Sequence, residues 1–249
     1  MVRLSVNVNK VATLRNSRGG AVPSVVDAVR TCLDAGATGI TVHPRADARH
    51  ITTRDTEELA ALLEPLRETV EYNIEGDPRP DLMDRVASLR PHQCTLVPVQ
   101  PGEITSQAGW PPGALREQLS PVIARLRGAG IRVSLFVDAE PAAVAWAAEL
   151  GADRIELYTE PFARAFERSR EHGRESFARY AEAAEVAHAR GLGVNAGHDL
   201  DLDNLEQFMR LPHLDEVSIG HALISRALWV GLAAAVREYL ARVESQVAT

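Results

Sequence analysis

One alternation recurs along the chain. A stripe of apolar residues at helical spacing ends in a glycine, and a short run rich in β-branched and other apolar residues follows. Ala35-Gly36 leads into 38–43, Ala129-Gly130 into 131–137, Leu150-Gly151 into 154–158, and Arg190-Gly191 into 192–195. Glycine just past a helix tolerates the left-handed turn that ends it. The runs that follow do not alternate cleanly, as expected of strands buried on both faces of a parallel sheet. Completing the series predicts eight strands, at about 3–7, 38–43, 70–74, 93–97, 131–137, 154–158, 192–195 and 215–219. Three helical stripes lie between or after them: Val25, Val26, Val29, Cys32 and Leu33; Leu115, Leu119, Val122 and Leu126; and Leu232, Val236, Leu240 and Val243.

Eight alternating β and α units without a break in composition predict an α/β fold, a single (β/α)8 TIM barrel spanning residues 1–249. A doubly wound open sheet is the alternative, but no GxGxxG turn follows the first strand. Two segments after strands are long, 98–113 and 159–176, and both are lid candidates on the carboxyl-terminal face.

Composition narrows the function. Apolar residues make up 45% and charged residues 24%, as in an ordinary globular protein, and the net charge is −7. That charge argues against general binding to nucleic acid or anionic membranes, and any anionic ligand needs a local positive site. No apolar run has the length of a membrane span, and the first residues read as a strand rather than an export signal. Cys32 and Cys94 sit far apart in apolar patterns and read as reduced core residues. Together these features predict a cytoplasmic protein.

In a barrel, side chains at the carboxyl ends of the strands converge on one pocket. All eight predicted ends carry polar groups: Asn7 with Asn9 and Lys10; His43 with Arg45 and His50; Glu75; Glu103 and Thr105; Asp138; Glu156; Asn195 and His198; Gly220 and His221. Glu75 ends an apolar strand, so desolvation should raise its pKa toward the range of a general base. His43 and His198 belong to the residue type that titrates near neutrality. Asp138 is expected to cap the next helix, and Glu156 either faces the site or pairs with an arginine. Two basic clusters, Arg15 with Arg18 and Arg45 with Arg49, point to an anionic ligand. The two glycine-histidine turns at Gly197-His198 and Gly220-His221 resemble phosphate cradles, with Gly220-His221 the better one. No His-x-His on the first strand, HExxH or close Cys/His cluster suggests a metal, and there is no GxxxxGK[ST] loop for ATP.

At these residues the chain resembles the pyridoxine 5′-phosphate synthase family over nearly its whole length. The resemblance rests on six ordered motifs. They are Val11-Ala12-Thr13-Leu14-Arg15-Asn16-Ser17-Arg18-Gly19, Gly39-Ile40-Thr41-Val42-His43-Pro44-Arg45, His50-Ile51-Thr52, Val133-Ser134-Leu135-Phe136-Val137-Asp138, Val194-Asn195-Ala196-Gly197-His198 and Ile219-Gly220-His221-Ala222. The resemblance implies a barrel with extra helices, assembled as a homo-octamer. It implies condensation of 3-amino-2-oxopropyl phosphate with 1-deoxy-D-xylulose 5-phosphate to pyridoxine 5′-phosphate, phosphate and water, without metal or nucleotide cofactor. By the same resemblance, His43 and Glu75 accept protons and His198 donates one. Arg45, His50 and Thr105 hold the deoxyxylulose phosphate, while Asn7, Arg18, Asp199, Gly220 and His221 hold the aminooxopropyl phosphate.

Two departures from the family pattern stand out. Asn9-Lys10 occupies the place of an Asp-His pair that many members use on the sugar phosphate. Lys10 is expected to meet a phosphate, or else to attack a ketone as a nucleophile. Asp199 stands where well-studied members have glycine, so only its backbone amide is expected to serve a phosphate. The rival readings are a related barrel acting on another phosphorylated ketose and a phosphate-ligand binding protein without catalysis. The set of His43, Glu75 and His198 argues against the latter, because a binder has no use for a base.

Overall fold

The computed structural model describes residues 2–100, 102–103, 105–113 and 115–245, so positions 101 and 104 of the expected lid segment lie outside the described residues. Eight parallel strands close into a barrel in chain order: β1 (Arg3–Asn7), β2 (Gly39–Val42), β3 (Glu71–Gly76), β4 (Gln93–Leu96), β5 (Arg132–Val137), β6 (Arg154–Tyr158), β7 (Gly193–Gly197) and β8 (Leu214–Ile219). Each expected strand is found within two residues of its expected bounds. The four glycines that mark helix ends carry the positive φ the reading required: Gly36 at 106°, Gly130 at 78°, Gly151 at 83° and Gly191 at 74°.

Eleven α-helices surround the barrel among the described residues: α1 (Asn9–Asn16), α2 (Val25–Asp34), α3 (Thr53–Leu63), α4 (Pro80–Leu89), α5 (Arg116–Gly128), α6 (Pro141–Glu149), α7 (Glu160–Arg168), α8 (Arg170–Ala189), α9 (Leu205–Phe208), α10 (His221–Val230) and α11 (Leu232–Glu244). Helices α1, α7 and α10 are additional to one helix per unit. The expected stripe on α5 is displaced. Leu115 is exposed in a left-handed N-cap, and the buried face is Leu119, Ile123 and Leu126. The segment 159–176 is no loop: it folds as α7 and the start of α8, pinned by Phe162 packed against Tyr180 and Phe208. No helix among the described residues is long and apolar enough to cross a membrane. Cys32 and Cys94 are buried free thiols, and burial pushes both up to about 12.

The strands do alternate, in an inverted sense. Tyr72 and Ile74 of β3, Cys94 and Leu96 of β4, and Ile155 and Leu157 of β6 join the apolar core under the helices. The intervening residues fill the barrel interior with polar groups. Ser5 and Thr41 hydroxyls meet at 2.7 Å, the Thr95 hydroxyl donates to Asn73 Oδ1 at 3.1 Å, and Asn195 reaches across from β7 to Gln93 of β4 at 3.4 Å. Below them Glu71 binds Arg3 at 2.8 Å and also Arg132, and Arg154 donates to Asn195 at 2.8 Å. A barrel of this class is usually filled by branched apolar side chains. Here the lumen is a hydrogen-bonded polar network: strands such as β2, β3 and β4 are buried on both faces, as expected, but the reading that the runs do not alternate cleanly is corrected.

Candidate active site

The carboxyl-terminal mouth of this lumen opens into a cavity of about 430 Å³. Of the eleven residues to which the resemblance gives a catalytic or binding role, ten line it: Asn7, His43, Arg45, His50, Glu75, Thr105, His198, Asp199, Gly220 and His221. Arg18 is not among the lining residues; it lies in the exposed turn after α1.

His43 follows β2 and is buried, its backbone N–H held by Asn9 Oδ1 at 2.9 Å. The next residue's carbonyl, Pro44 O, accepts from Arg79 at 2.6 Å, so this turn is braced on both sides. Burial lowers the His43 pKa well below its ordinary value, and the guanidiniums of Arg45, Arg79 and Arg49 lower it further, as does the His50 ring when it carries a proton. The ring is therefore neutral, and its Nε2 has no partner among the described residues. Glu75 projects from β3 with its carboxyl Oε2 3.9 Å from His43 Nδ1, too long for a hydrogen bond. Burial raises its pKa well above the carboxylate range, and the neighbouring carboxyls Glu156 and Glu216 add to the rise. Glu156 of β6 pairs with no arginine among the described residues. It is buried, with its pKa pushed up to about 8 by burial and then by Glu216, against a smaller opposing effect of the Thr95 hydroxyl. It packs onto Gly197, where a Cβ would come within 2.4 Å of its Oε1.

His198 stands on a strained turn. It and Asp199 both have positive φ, 88° and 59°, a conformation unfavourable for side-chain-bearing residues. The Thr159 hydroxyl accounts for the cost by donating to Gly197 O at 2.7 Å and contacting His198 O, and Asn204 donates to Asp199 O at 3.1 Å. His198 Nε2 lies 2.8 Å from the Thr105 hydroxyl, Asp199 Oδ2 lies 3.2 Å from Nδ1, and Tyr158 meets the ring edge-on at 5.1 Å. The Asp199 side chain thus has a task the sequence did not suggest: it flanks the histidine rather than a phosphate. The His198 ring at 3.2 Å holds the carboxyl below its ordinary range despite burial.

Two regions with positive charge or free donors flank these groups. On the β2 side, Arg45 is paired with Glu103 at 3.2 Å, and His50 accepts the Ile51 N–H on Nδ1 at 3.0 Å. Burial, then Arg45 and Lys10, lower the His50 pKa to about 4, so the ring is neutral with its proton on Nε2. On the β8 side, Gly220 is the N-cap of α10 and makes no side-chain cap, leaving the amides at His221 as donors for an anion. Arg15 does not serve this site. Its Nη2 donates to Asp55 Oδ2 at 2.8 Å and to His50 O at 3.3 Å, so it ties α1 to α3. Asp138 does not cap α6, whose N-cap is Glu140; instead Asp138 accepts the Gly109 N–H at 3.1 Å. That contact, with Trp110 Nε1 donating to Leu96 O at 2.9 Å, fastens Gly109 and Trp110 to the barrel, and Thr105 of the same segment lies against His198. Sequence reasoning passed over Arg79, Phe136 and Ser218. The last two lie at lumen positions two residues beyond Ser134 and Glu216, a period-two signal. Among the described residues no three His, Cys, Asp or Glu side chains form a metal-holding group.

Comparison with known proteins agrees with this architecture. The family described as "Pyridoxal phosphate biosynthesis protein PdxJ" matches residues 4–245. Pyridoxine 5′-phosphate synthase of Bacteroides thetaiotaomicron is 52% identical over 96% of this chain and 98% of its own length. That of Leptospira biflexa is 50% identical over 96% of both. Among solved structures, KGPDC from Streptococcus mutans aligns with a TM-score of 0.63 over 98% of each chain at 10% identity, a likeness of fold alone. With its family match running almost end to end and half of its residues shared with these relatives, the chain belongs to the pyridoxine 5′-phosphate synthase (PdxJ) family.

Proposed function

We propose that this protein is a pyridoxine 5′-phosphate synthase of vitamin B6 biosynthesis. It condenses 3-amino-2-oxopropyl phosphate with 1-deoxy-D-xylulose 5-phosphate, releasing phosphate and water. The observation that carries this reading is one pocket in which a neutral, unpartnered His43 faces a proton-retaining Glu75, with His198 held nearby between Thr105 and Asp199. Joining the amine of one substrate to the ketone of the other expels water. Closing the ring then takes protons from carbon and hands protons to departing oxygens. His43 Nε2 is free to accept such a proton. Burial raises the pKa of Glu75, and the incoming ammonium of the aminooxopropyl phosphate favours its carboxylate and turns it into a base. His198, aimed by Thr105, serves as donor.

Two phosphorylated substrates need two anion sites. Arg45, His50 Nε2 and Thr105 hold the deoxyxylulose phosphate; Asn7 and the amides at Asp199, Gly220 and His221 hold the other. Arg18, outside its own pocket, reaches a phosphate only when a second copy presents it, in keeping with a cytoplasmic homo-octamer. The test mixes purified protein with both substrates and follows released phosphate and the pyridoxine chromophore. Glu75→Gln keeps the shape and removes the base, so turnover should fall by about 10²- to 10⁴-fold with folding unchanged. Wild-type protein that forms no product overturns the reading, and near-normal turnover in Glu75→Gln overturns the role of Glu75.

A further inference from the structure

Arginine is a poor residue on which to start a helix. It cannot accept the free amide hydrogens of the first turn, and its charge opposes the positive end of the helix dipole. Helices α2, α3 and α8 begin on Ser24, Thr52 and Ser169, whose side chains accept from their first turns. Helix α4 begins on Arg79, which makes no such cap. Its two chain neighbours are Pro78 and Pro80. Each proline fixes its own φ, and Pro80 restricts Arg79 to the extended conformation it adopts, with φ −67° and ψ 144°. A locally unfavourable residue on a stiffened backbone points to a task beyond the helix.

The guanidinium reaches three segments. Nη1 binds the carboxylate of Asp77, two residues after Glu75. Nη2 donates to Pro44 O, the carbonyl directly after His43, at 2.6 Å. Nε donates to Asp81 Oδ2, in the first turn of α4, at 3.3 Å. The start of α4 is itself seated on β3, because a Cβ on Gly76 would come within 2.3 Å of Leu82 Cδ2, and Leu82 is buried. The β2–β3 ladder ends where Val42 pairs with Ile74, so His43 and Glu75 lie just past its last pair. Arg79 continues the connection between the two exits where the ladder stops. It is not among the residues lining the cavity, so it acts through the His43 turn rather than on a ligand.

We infer that Arg79 is a positioning residue: it locks the His43 turn to the end of β3, so that His43 and Glu75 meet one substrate at a fixed separation. This rests on the proposed function for the reaction, but not for the clamp itself. Lysine is no equivalent, because a single ammonium lacks the planar fork that reaches acceptors on three segments.

Two measurements test it. The first needs no turnover. Labelling with ¹⁵N-histidine gives one backbone amide signal for each of the eight histidines, and His43→Gln identifies that of residue 43. In Arg79→Met this amide should shift and exchange with solvent about 10-fold faster, as expected of a loosened turn. The second is steady-state kinetics. Arg79→Met should lower kcat by about 10- to 100-fold and leave KM for both substrates within about twofold, because a misplaced base costs transition-state stabilisation rather than ground-state binding. The acid limb of its kcat profile should move to higher pH, since loss of a nearby cation raises the pKa of a base that must be neutral. The other charged groups around that ring, Lys10, Arg45, Arg49, His50 and Glu75, stay in place. Arg79→Lys keeps the charge and loses the fork, so its acid limb should match wild type while its kcat recovers only in part. Arg85→Met removes another arginine of α4, paired with Glu57 at 2.9 Å, and should leave both kcat and the His43 amide unchanged. An unmoved His43 amide in Arg79→Met, unchanged kcat, or a rise in KM alone overturns the inference. So does an equal loss in Arg85→Met, which would make the effect one of helix docking. If Arg79→Met does not fold, Arg79→Lys carries the comparison, and wild-type kcat with a wild-type His43 amide then overturns the inference. A wild-type protein that forms no product refutes the proposed function, while the His43 amide still decides whether Arg79 holds the turn.

Discussion

Replacing Glu156 by glutamine should make the protein more stable, and increasingly so as the pH rises. Glu156 is fully enclosed between β6, Gly197 and the polar lumen, and its pKa is pushed up to about 8 from an ordinary 4.5 by burial and the Glu216 carboxyl. Between those two values the folded chain holds a proton that the unfolded chain has released. Folding is therefore progressively disfavoured as the pH climbs through this window, and the penalty is complete above the folded pKa. At about 1.4 kcal/mol per unit, a shift from 4.5 to about 8 amounts to on the order of 5 kcal/mol at pH 9, and almost none at pH 4. Glutamine has the same shape, keeps an oxygen for the Thr95 hydroxyl and cannot ionise. Lifting the Glu156 charge also relieves Glu75, which acts in the same direction. Urea denaturation of wild type and Glu156→Gln at pH 5, 6, 7, 8 and 9 measures the difference. The variant's advantage should grow by roughly 1.4 kcal/mol per pH unit between pH 5 and 8 and then level off. Two curves that stay parallel across that range would show that Glu156 titrates normally, and the argument for a proton-retaining lumen would fail with it.

Gly109→Ala should loosen the segment that carries Thr105, because a Cβ there would stand 2.3 Å from Asp138 N and 2.4 Å from Val137 Cα, both backbone atoms that cannot yield. The expected result is a loss on the order of 2 kcal/mol in the urea midpoint analysis, with a shift in tryptophan fluorescence as Trp110 leaves its 5% exposed seat; an unchanged variant would show that the segment is not clamped. Asp55→Asn should cost about 2–4 kcal/mol, because it breaks the Arg15 pair and the capping box with Thr52 at the start of α3. Burial opposes its charge, but Arg15 and Thr52 outweigh that and hold its pKa below normal. Its contribution is therefore present above the ordinary carboxylate pKa and disappears in acid, so wild type and Asp55→Asn should converge in stability as the pH falls through and below that of the folded carboxyl.

Local pattern reached the fold and most of the site, and its failures share a cause. The glycine that ends each helix and the apolar run after it are neighbours in sequence, so the eight strands were legible. Polar residues at the strand ends were legible for the same reason, which placed His43, Glu75 and His198 on one face. Arg15 was misassigned because its partner Asp55 lies 40 residues away. Asp138 was misassigned because the Gly109 amide it holds is 29 residues back. No window of a helix or turn contains either pair. The strands themselves present a different case, because their signal was local and was read with the wrong period. Glu71-Tyr72-Asn73-Ile74-Glu75 alternates perfectly, as do Gln93-Cys94-Thr95-Leu96 and Arg154-Ile155-Glu156-Leu157. Taken as imperfect runs, they concealed the polar face; taken at period two, they put Glu71, Asn73 and Glu75 in one column facing Gln93, Thr95 and Arg154, Glu156 inside the barrel. The polar lumen is thus continuous with the active site. Burial within it, reinforced by the neighbouring carboxyls, raises the pKa values of Glu75 and Glu156, while helices packed on the outward apolar residues carry the core that offsets such an interior.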